Sequence, residues 1–167
     1  NAVCPPEERM ELDELMKIGQ QKFAVCANCH KLDGKGDRGQ NVPPLDGSEW
    51  LVGEKASAAR LSRIVLYGLS GTVEVKGQTY NGVMPNQGNV MKDYEIAAVL
   101  TYVRNSWGNA ADNGKPPALT ASVVRAARAK EGPRKTNGSQ PVSHAELLAI
   151  TVDSAAPGAR PPKVEET

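Results

Sequence analysis

Large rings are scarce in this chain: two Trp, four Tyr and one Phe among 167 residues. An apolar fraction of 40% suffices for a core, but so few rings must be supplemented, and a bound cofactor is one supplement. Net charge is nearly absent as well, with 20 basic against 19 acidic residues. Nothing in that balance implies a nucleic-acid partner or a strongly charged membrane face. No apolar run reaches the roughly 20 residues of a membrane span. No cleavable leader is visible either, so the sequence reads as mature or trimmed. Membrane attachment would have to come through a region ahead of Asn1. The length suits one domain, or a smaller domain with an appendage. Cysteine is limited to Cys4, Cys26 and Cys29, and histidine to His30 and His144. "NAV" ahead of Cys4 lacks the leucine of a lipoprotein processing site, so Cys4 reads as a surface thiol near a mobile end.

What the chain does contain is organised. Leu12, Leu15, Met16, Gly19 and Phe23 recur at spacings of three and four, predicting a helix over 9–25. Acidic residues crowd its first turns, where the macrodipole favours them. Residues 31–56 read as loop. Ser57 is placed to cap a helix that carries Leu61, Ile64 and Val65 and ends near Gly68. Thr72–Val75, Lys76-Gly77 and Gln78–Tyr80 predict a small hairpin within 71–81. Asp93 is the expected cap of a helix over 94–107, with Ile96, Leu100, Val103 and Trp107 on one face. The composition then changes. Residues 109–119 read as linker, 121–130 as a short basic helix with Arg125, Arg128 and Lys130 exposed, and 132–141 as loop. Ser143-His144-Ala145-Glu146 is a capping-box pattern opening a brief helix to Ile150, and 153–167 reads as disordered.

"AVCANCHKLDG" (24–34) gathers two of three cysteines and one of two histidines. Shuffling would produce Cys-x-x-Cys-His only roughly four times in ten thousand. A structural zinc site needs four ligands, and adjacent Cys29 and His30 could hardly both reach one metal. A redox dithiol opens a helix after a strand within a βαβ pattern, which the chain lacks. Covalent haem attachment uses every residue: Cys26 and Cys29 each take a vinyl group, and His30 places an imidazole nitrogen on the iron. The second axial position is open to few residues. His144 reads as a solvent-exposed residue of the last short helix. Met16 lies on the first apolar stripe. Met84, in the polar loop "NGVMPNQG" with Pro85 fixing the backbone after it, is the expected sixth ligand, and Met91 is the fallback.

With Cys26-x-x-Cys29-His30, a later Met84-Pro85 and a helix on either side, residues 9–109 resemble the class I cytochromes c. The resemblance implies an all-α fold of three main helices around one haem c, with the hairpin and short C-terminal helices added. It divides the chain into a cytochrome domain, 1–109, and an extension, 110–167. Gly19 and Phe23 against Leu100, Tyr102 and Val103 look like the family's crossed-helix contact. "NVPPLDGSEW" looks like its proximal loop, in which a proline carbonyl, Pro43 rather than Pro44 because it stands two before Leu45, accepts from the ligand imidazole. Leu45, Trp50 and Tyr80 resemble haem-lining residues, Trp50 near a propionate and Tyr80 on the methionine side. "GLSGTVEVKGQTYNGVMP" is similar to cytochrome domains attached to quinoprotein dehydrogenases, nitrite reductases and oxidases.

The resemblance thus implies single-electron transfer between redox protein partners, by a free carrier or by a relay domain or subunit of a larger oxidoreductase. It implies a periplasmic or extracytoplasmic setting, where such haem is attached. With His30 and Met84 both on the iron, no substrate could reach it, so an enzyme is not expected. A labile Met84 would instead make the chain a haem sensor or catalyst. The expected encounter surface is the small and apolar rim around Ala27, Val83 and Pro85, because the lysines are scattered rather than ringed.

Overall fold

The computed structural model describes residues 10–52, 56–109, 118–131 and 141–150. Cys4, the centre of the expected linker, most of the 132–141 loop and the 153–167 tail lie outside the described residues.

Helix α1 is Leu12–His30. Leu15, Gly19 and Phe23 of the predicted stripe are buried. The helix outruns the expected end at 25 and carries both cysteines. The apolar period stops at Phe23, but Ala24 and Ala27 keep helix propensity high. Lys31, at φ 66°, ends the helix with its N–H on the Ala27 carbonyl. Past α1 come the four-residue α2, Glu49–Val52, and α3, Ala58–Tyr67. Ser57 caps α3 as expected, its Oγ accepting from Arg60 N at 3.4 Å, and Gly68 closes it.

Helix α4, Asp93–Arg104, crosses α1. A Cβ at Gly19 would lie 2.2 Å from the Ala98 carbonyl oxygen and 2.6 Å from Tyr102 Cβ, so only glycine permits this approach. Phe23 packs on Tyr102 at 5.4 Å between ring centroids and on Trp107 at 5.5 Å. Two expectations about α4 are corrected. Lys92, not Asp93, is the N-cap, and Glu95 Oε1 accepts from its backbone N–H at 2.9 Å. The helix also ends at Arg104, short of 107. Asn105 Nδ2 and Ser106 Oγ turn back onto the carbonyls of Thr101 and Tyr102, competing with further helical bonds. Trp107, at φ 54°, is therefore beyond the helix.

Strands β1, Leu69–Val75, and β2, Gln78–Met84, form an antiparallel hairpin with Val73 opposite Tyr80 and Leu69 opposite Met84. Lys76 and Gly77 both have positive φ, 53° and 74°, as the favoured two-residue hairpin turn requires. The hairpin is longer than 71–81. Ser70-Gly71 and Asn81-Gly82 read as turn residues, yet their backbones stay paired. Met84 is thus the last residue of β2 rather than part of a loop.

The described parts of the extension join the same core. Helices α5, Ala121–Glu131, and α6, His144–Leu148, contribute Val123, Val124 and Leu147, with Leu119 and Val142 beside them. Val142 runs alongside β1: its N–H donates to Gly68 O at 3.0 Å, and Ser70 N–H donates to its carbonyl at 3.1 Å. Buried Arg60 donates to Ile150 O through Nε and Nη2 at 3.0 and 2.8 Å. Buried Arg63 pairs with Glu131 at 2.8 Å. Arg128 is not exposed as expected but half-buried, bonded to Asp93 Oδ1 at 2.9 Å and Gly88 O at 2.8 Å. Arg125 and Lys130 are exposed, in line with expectation.

Candidate functional site

Between α1, the 43–51 segment, α3, the hairpin and α4 lies an apolar crevice with two lobes. Their empty volumes, which include space open to solvent, are about 780 and 870 Å³. Cys26, His30, Pro43, Leu69, Val73 and Met84 line both lobes. Cys29 and Val83 line only the outer lobe, and Ser48, Trp50 and Leu147 only the inner one.

The cysteine motif occupies the last turn of α1, which sets its chemistry. Cys26 is half-buried and Cys29 exposed. Burial, with the neighbouring Cys29 adding to it, pushes the Cys26 thiol above its ordinary range. A reactive dithiol has the opposite arrangement, a helix N-terminus that lowers the thiol. Among the described residues no three His, Cys, Asp or Glu side chains converge as a metal cluster. Neither the dithiol nor the zinc alternative gains support.

His30, the last residue of α1, is buried, and its Nδ1 stands 3.0 Å from Pro43 O. A carbonyl can only accept, so Nδ1 holds the ring proton and Nε2 keeps its lone pair. Burial lowers the His30 pKa against the opposing pull of that bond, which favours the neutral, ligating form. The proximal loop is held just as specifically. Leu45 N–H and Asp46 N–H both donate to Gly34 O, at 2.7 and 3.0 Å. Asn109, expected at the start of a linker, is instead fully buried. Its Nδ2 donates to Leu45 O at 3.0 Å and Val103 O at 2.7 Å, and its Oδ1 accepts from Gly47 N–H at 2.7 Å.

The remaining expected residues fall as follows. Met84 reaches the crevice from the end of β2. Leu45 lines the inner lobe, and Tyr80 shares the outer lobe with Met84, with Arg38 stacked 5.1 Å over its ring. Trp50 lines the inner lobe, but its indole N–H donates to Glu74 O at 3.0 Å. Met91 is buried in the core and lines neither lobe. His144 is half-buried rather than exposed, its ring edge-on to Trp50 at 5.5 Å. Leu147 and Asn109 escaped sequence reasoning. Leu147 lies on a five-residue helix too short to show a period, and Asn109 in a stretch whose composition reads as loop.

The crevice fits a haem on its own features. Two cysteines one turn apart stand at its edge, an imidazole offers a free nitrogen, a thioether enters from a second element, and the walls are apolar.

Comparison with known proteins agrees with that fit. The cytochrome c family model matches residues 16–107. Cytochrome c-552 of Thermus thermophilus is 40% identical over 114 residues, 68% of this chain and 86% of the relative. The cytochrome c subunit of the quinone alcohol dehydrogenase of Gluconacetobacter polyoxogenes is 31% identical over 119 residues, 71% of this chain and 24% of that subunit. The gluconate 2-dehydrogenase cytochrome c subunit of Pantoea cypripedii is 32% identical over 107 residues, 64% of this chain and 22% of that subunit.

Proposed function

The chain belongs to the cytochrome c family, as a class I member that carries covalently bound haem c and transfers electrons, and from that premise we propose how its residues do so. Cys26 and Cys29 would anchor the haem through thioethers, and His30 and Met84 would hold its iron. Bound haem supplies an iron that alternates between ferrous and ferric. The Pro43 carbonyl fixes the His30 ring and raises its basicity. A thioether opposite an imidazole favours the ferrous state more than a second imidazole would. Leu45, Trp50 and Tyr80 line the cofactor and keep water from it. With His30 and Met84 both holding the iron, a substrate would find no place on it, and the chain would carry electrons rather than transform a substrate.

The exposed side of the outer lobe is the exchange surface. Val25, Cys29, Val83 and Pro85 are exposed there, with Ala27 half-buried beside them. Two of the scattered lysines are paired locally, Lys22 with Glu95 at 2.6 Å and Lys31 with Asp37 at 3.9 Å. The encounter is therefore small, apolar and weakly salt-dependent. Partners are redox proteins of the dehydrogenase, reductase or oxidase kind. The relatives include cytochrome subunits of quinone alcohol and gluconate dehydrogenases, which supports a relay role beside that of a free carrier. The setting is periplasmic or extracytoplasmic, where covalent attachment takes place. Among the described residues no helix is long and apolar enough to cross a membrane.

One observation carries the axial reading: His30 is held through Nδ1 by Pro43 in the crevice that Met84 also enters. Its test is the optical spectrum of ferrous protein with and without carbon monoxide, for wild type and Met84→Ala. Wild type should stay low-spin and unmoved, and the variant should take up carbon monoxide and fall in reduction potential. Carbon monoxide uptake by wild type would overturn the assignment and favour a sensor or catalyst.

A further inference from the structure

The extension grips the Met84-bearing segment at two points. The first lies across β1. Leu69 stands opposite Met84 in the hairpin. On the other edge of β1, Val142 N–H donates to Gly68 O at 3.0 Å, and Ser70 N–H donates to Val142 O at 3.1 Å. Gly68 itself backs onto the ligand segment. Its φ is 78°, and a Cβ there would lie 2.3 Å from Met84 O and 3.1 Å from Asn86 N. The second point lies downstream of Met84. Gln87 N–H and Gly88 N–H donate to Val65 O and Leu66 O at 2.8 and 3.1 Å, which ties the segment to the end of α3. Arg128 of α5 then holds it from the other side. Its Nη1 donates to Gly88 O at 2.8 Å, its Nη2 to Met91 O at 3.4 Å and its Nε to Asp93 Oδ1 at 2.9 Å. Both grips are anchored, since Val142, Val123, Val124 and Leu147 of the extension are buried.

We infer that the extension braces Met84 in its ligating position, with Val142 and Arg128 as positioning residues for the sixth ligand. Both are supplied from outside the 16–107 stretch that matches the family. A thioether is a soft ligand and holds ferric iron weakly, so its stay depends on what the chain must break to withdraw it. Met84 can leave the crevice only if the backbone around it swings out. That motion strips Gly88 O of Arg128 and drags the paired end of β1 against Val142. Segments held by few bonds open first, and the two grips add bonds on either side of the ligand. A docked extension therefore keeps the sixth position closed, and an undocked one makes it easier to open. This inference rests on Met84 being the sixth ligand.

The test is titration of the full-length, haem-loaded ferric chain with imidazole, which competes with the thioether for the iron. Val142→Pro removes the N–H that reaches Gly68, and Arg128→Leu removes the guanidinium. Leu15→Ala is the control for lost stability alone, since Leu15 is buried on α1 and lines neither lobe. Val142→Pro and Arg128→Leu should each bind imidazole about three- to tenfold more tightly than wild type. Leu15→Ala should differ from wild type by less than about twofold. Unchanged affinity in either brace variant, or an equal rise in Leu15→Ala, overturns the inference. Where a brace variant does not fold, Arg128→Lys takes its place, because an ammonium cannot reach all three acceptors. It should tighten imidazole binding at least about twofold, and no change overturns the inference. The ferric spectrum is recorded on the same samples. A wild type without the sulfur-to-iron charge-transfer band defeats the Met84 assignment, and the inference with it. The band present in wild type, with imidazole affinity unmoved by the variants, defeats the inference alone.

Discussion

Replacing Gly19 by alanine tests the α1–α4 crossing on which the crevice depends. The new Cβ would lie 2.2 Å from Ala98 O, 2.6 Å from Tyr102 Cβ and 2.8 Å from Ala98 C. Two of these three atoms are backbone, so no side-chain rotation relieves the overlap. The helices must separate by roughly 1 Å to restore ordinary contact, loosening Phe23 from Tyr102. Overpacking costs about 1–3 kcal/mol, and a backbone obstacle puts this case near the top. Against it, alanine in place of glycine mid-helix gains about 1 kcal/mol. The balance is a loss of about 2 kcal/mol, or about 4–8 °C in melting temperature for a chain of this size. Thermal unfolding of the haem-loaded protein, followed by circular dichroism, reads it directly. Gly39→Ala is the control: a Cβ there meets nothing nearer than Asp37 Oδ1 at 3.4 Å, so stability should move by less than about 0.5 kcal/mol. A Gly19→Ala protein as stable as wild type would refute the tight crossing.

Other changes probe separate parts of the molecule. Leu147→Ala should cost about 2–5 kcal/mol by denaturant titration, since the side chain is fully buried; a loss below 1 kcal/mol would mean the extension is not part of the core. Asn109→Ala strips the Gly47, Leu45 and Val103 backbone groups of their partner, and should cost about 3 kcal/mol, with Asn109→Asp failing to rescue because it cannot donate to two carbonyls. Glu95 supplies a pH signature. Burial pushes its carboxyl up, but the Lys22 bond, the Lys92 N–H and the two lysine charges outweigh it, leaving the pKa below the ordinary 4.5. A depressed folded pKa adds stability above the unfolded value, and that stability is lost as pH falls through the folded one. Wild type should therefore exceed Glu95→Gln in stability above about pH 5, and the gap should close on acidification; a gap independent of pH would contradict the ion pair.

Much of this protein can be read from its order of residues. Cys26, Cys29 and His30 fall within five residues at one helix end, so their meeting is a matter of local geometry. Pro43 was legible only through resemblance, because the turn that brings it 13 residues back to His30 depends on the backbone bonds at Gly34. Helices with a clear apolar stripe were legible in kind and blurred at their ends, where Asn105 and Ser106, or Ala24 and Ala27, decide the last turn without any period.

The sequence by itself determined the chemistry on offer: a covalent anchor, an imidazole and few rings to fill a core. Only the tertiary structure decided that Met84 closes a strand, that Asn109 is buried, that Arg128 is bound, and that the extension completes the crevice. Those outcomes depend on which distant backbone groups and side chains come to lie opposite one another. Hydrogen bonding and close packing of that kind leave no periodic trace along the chain.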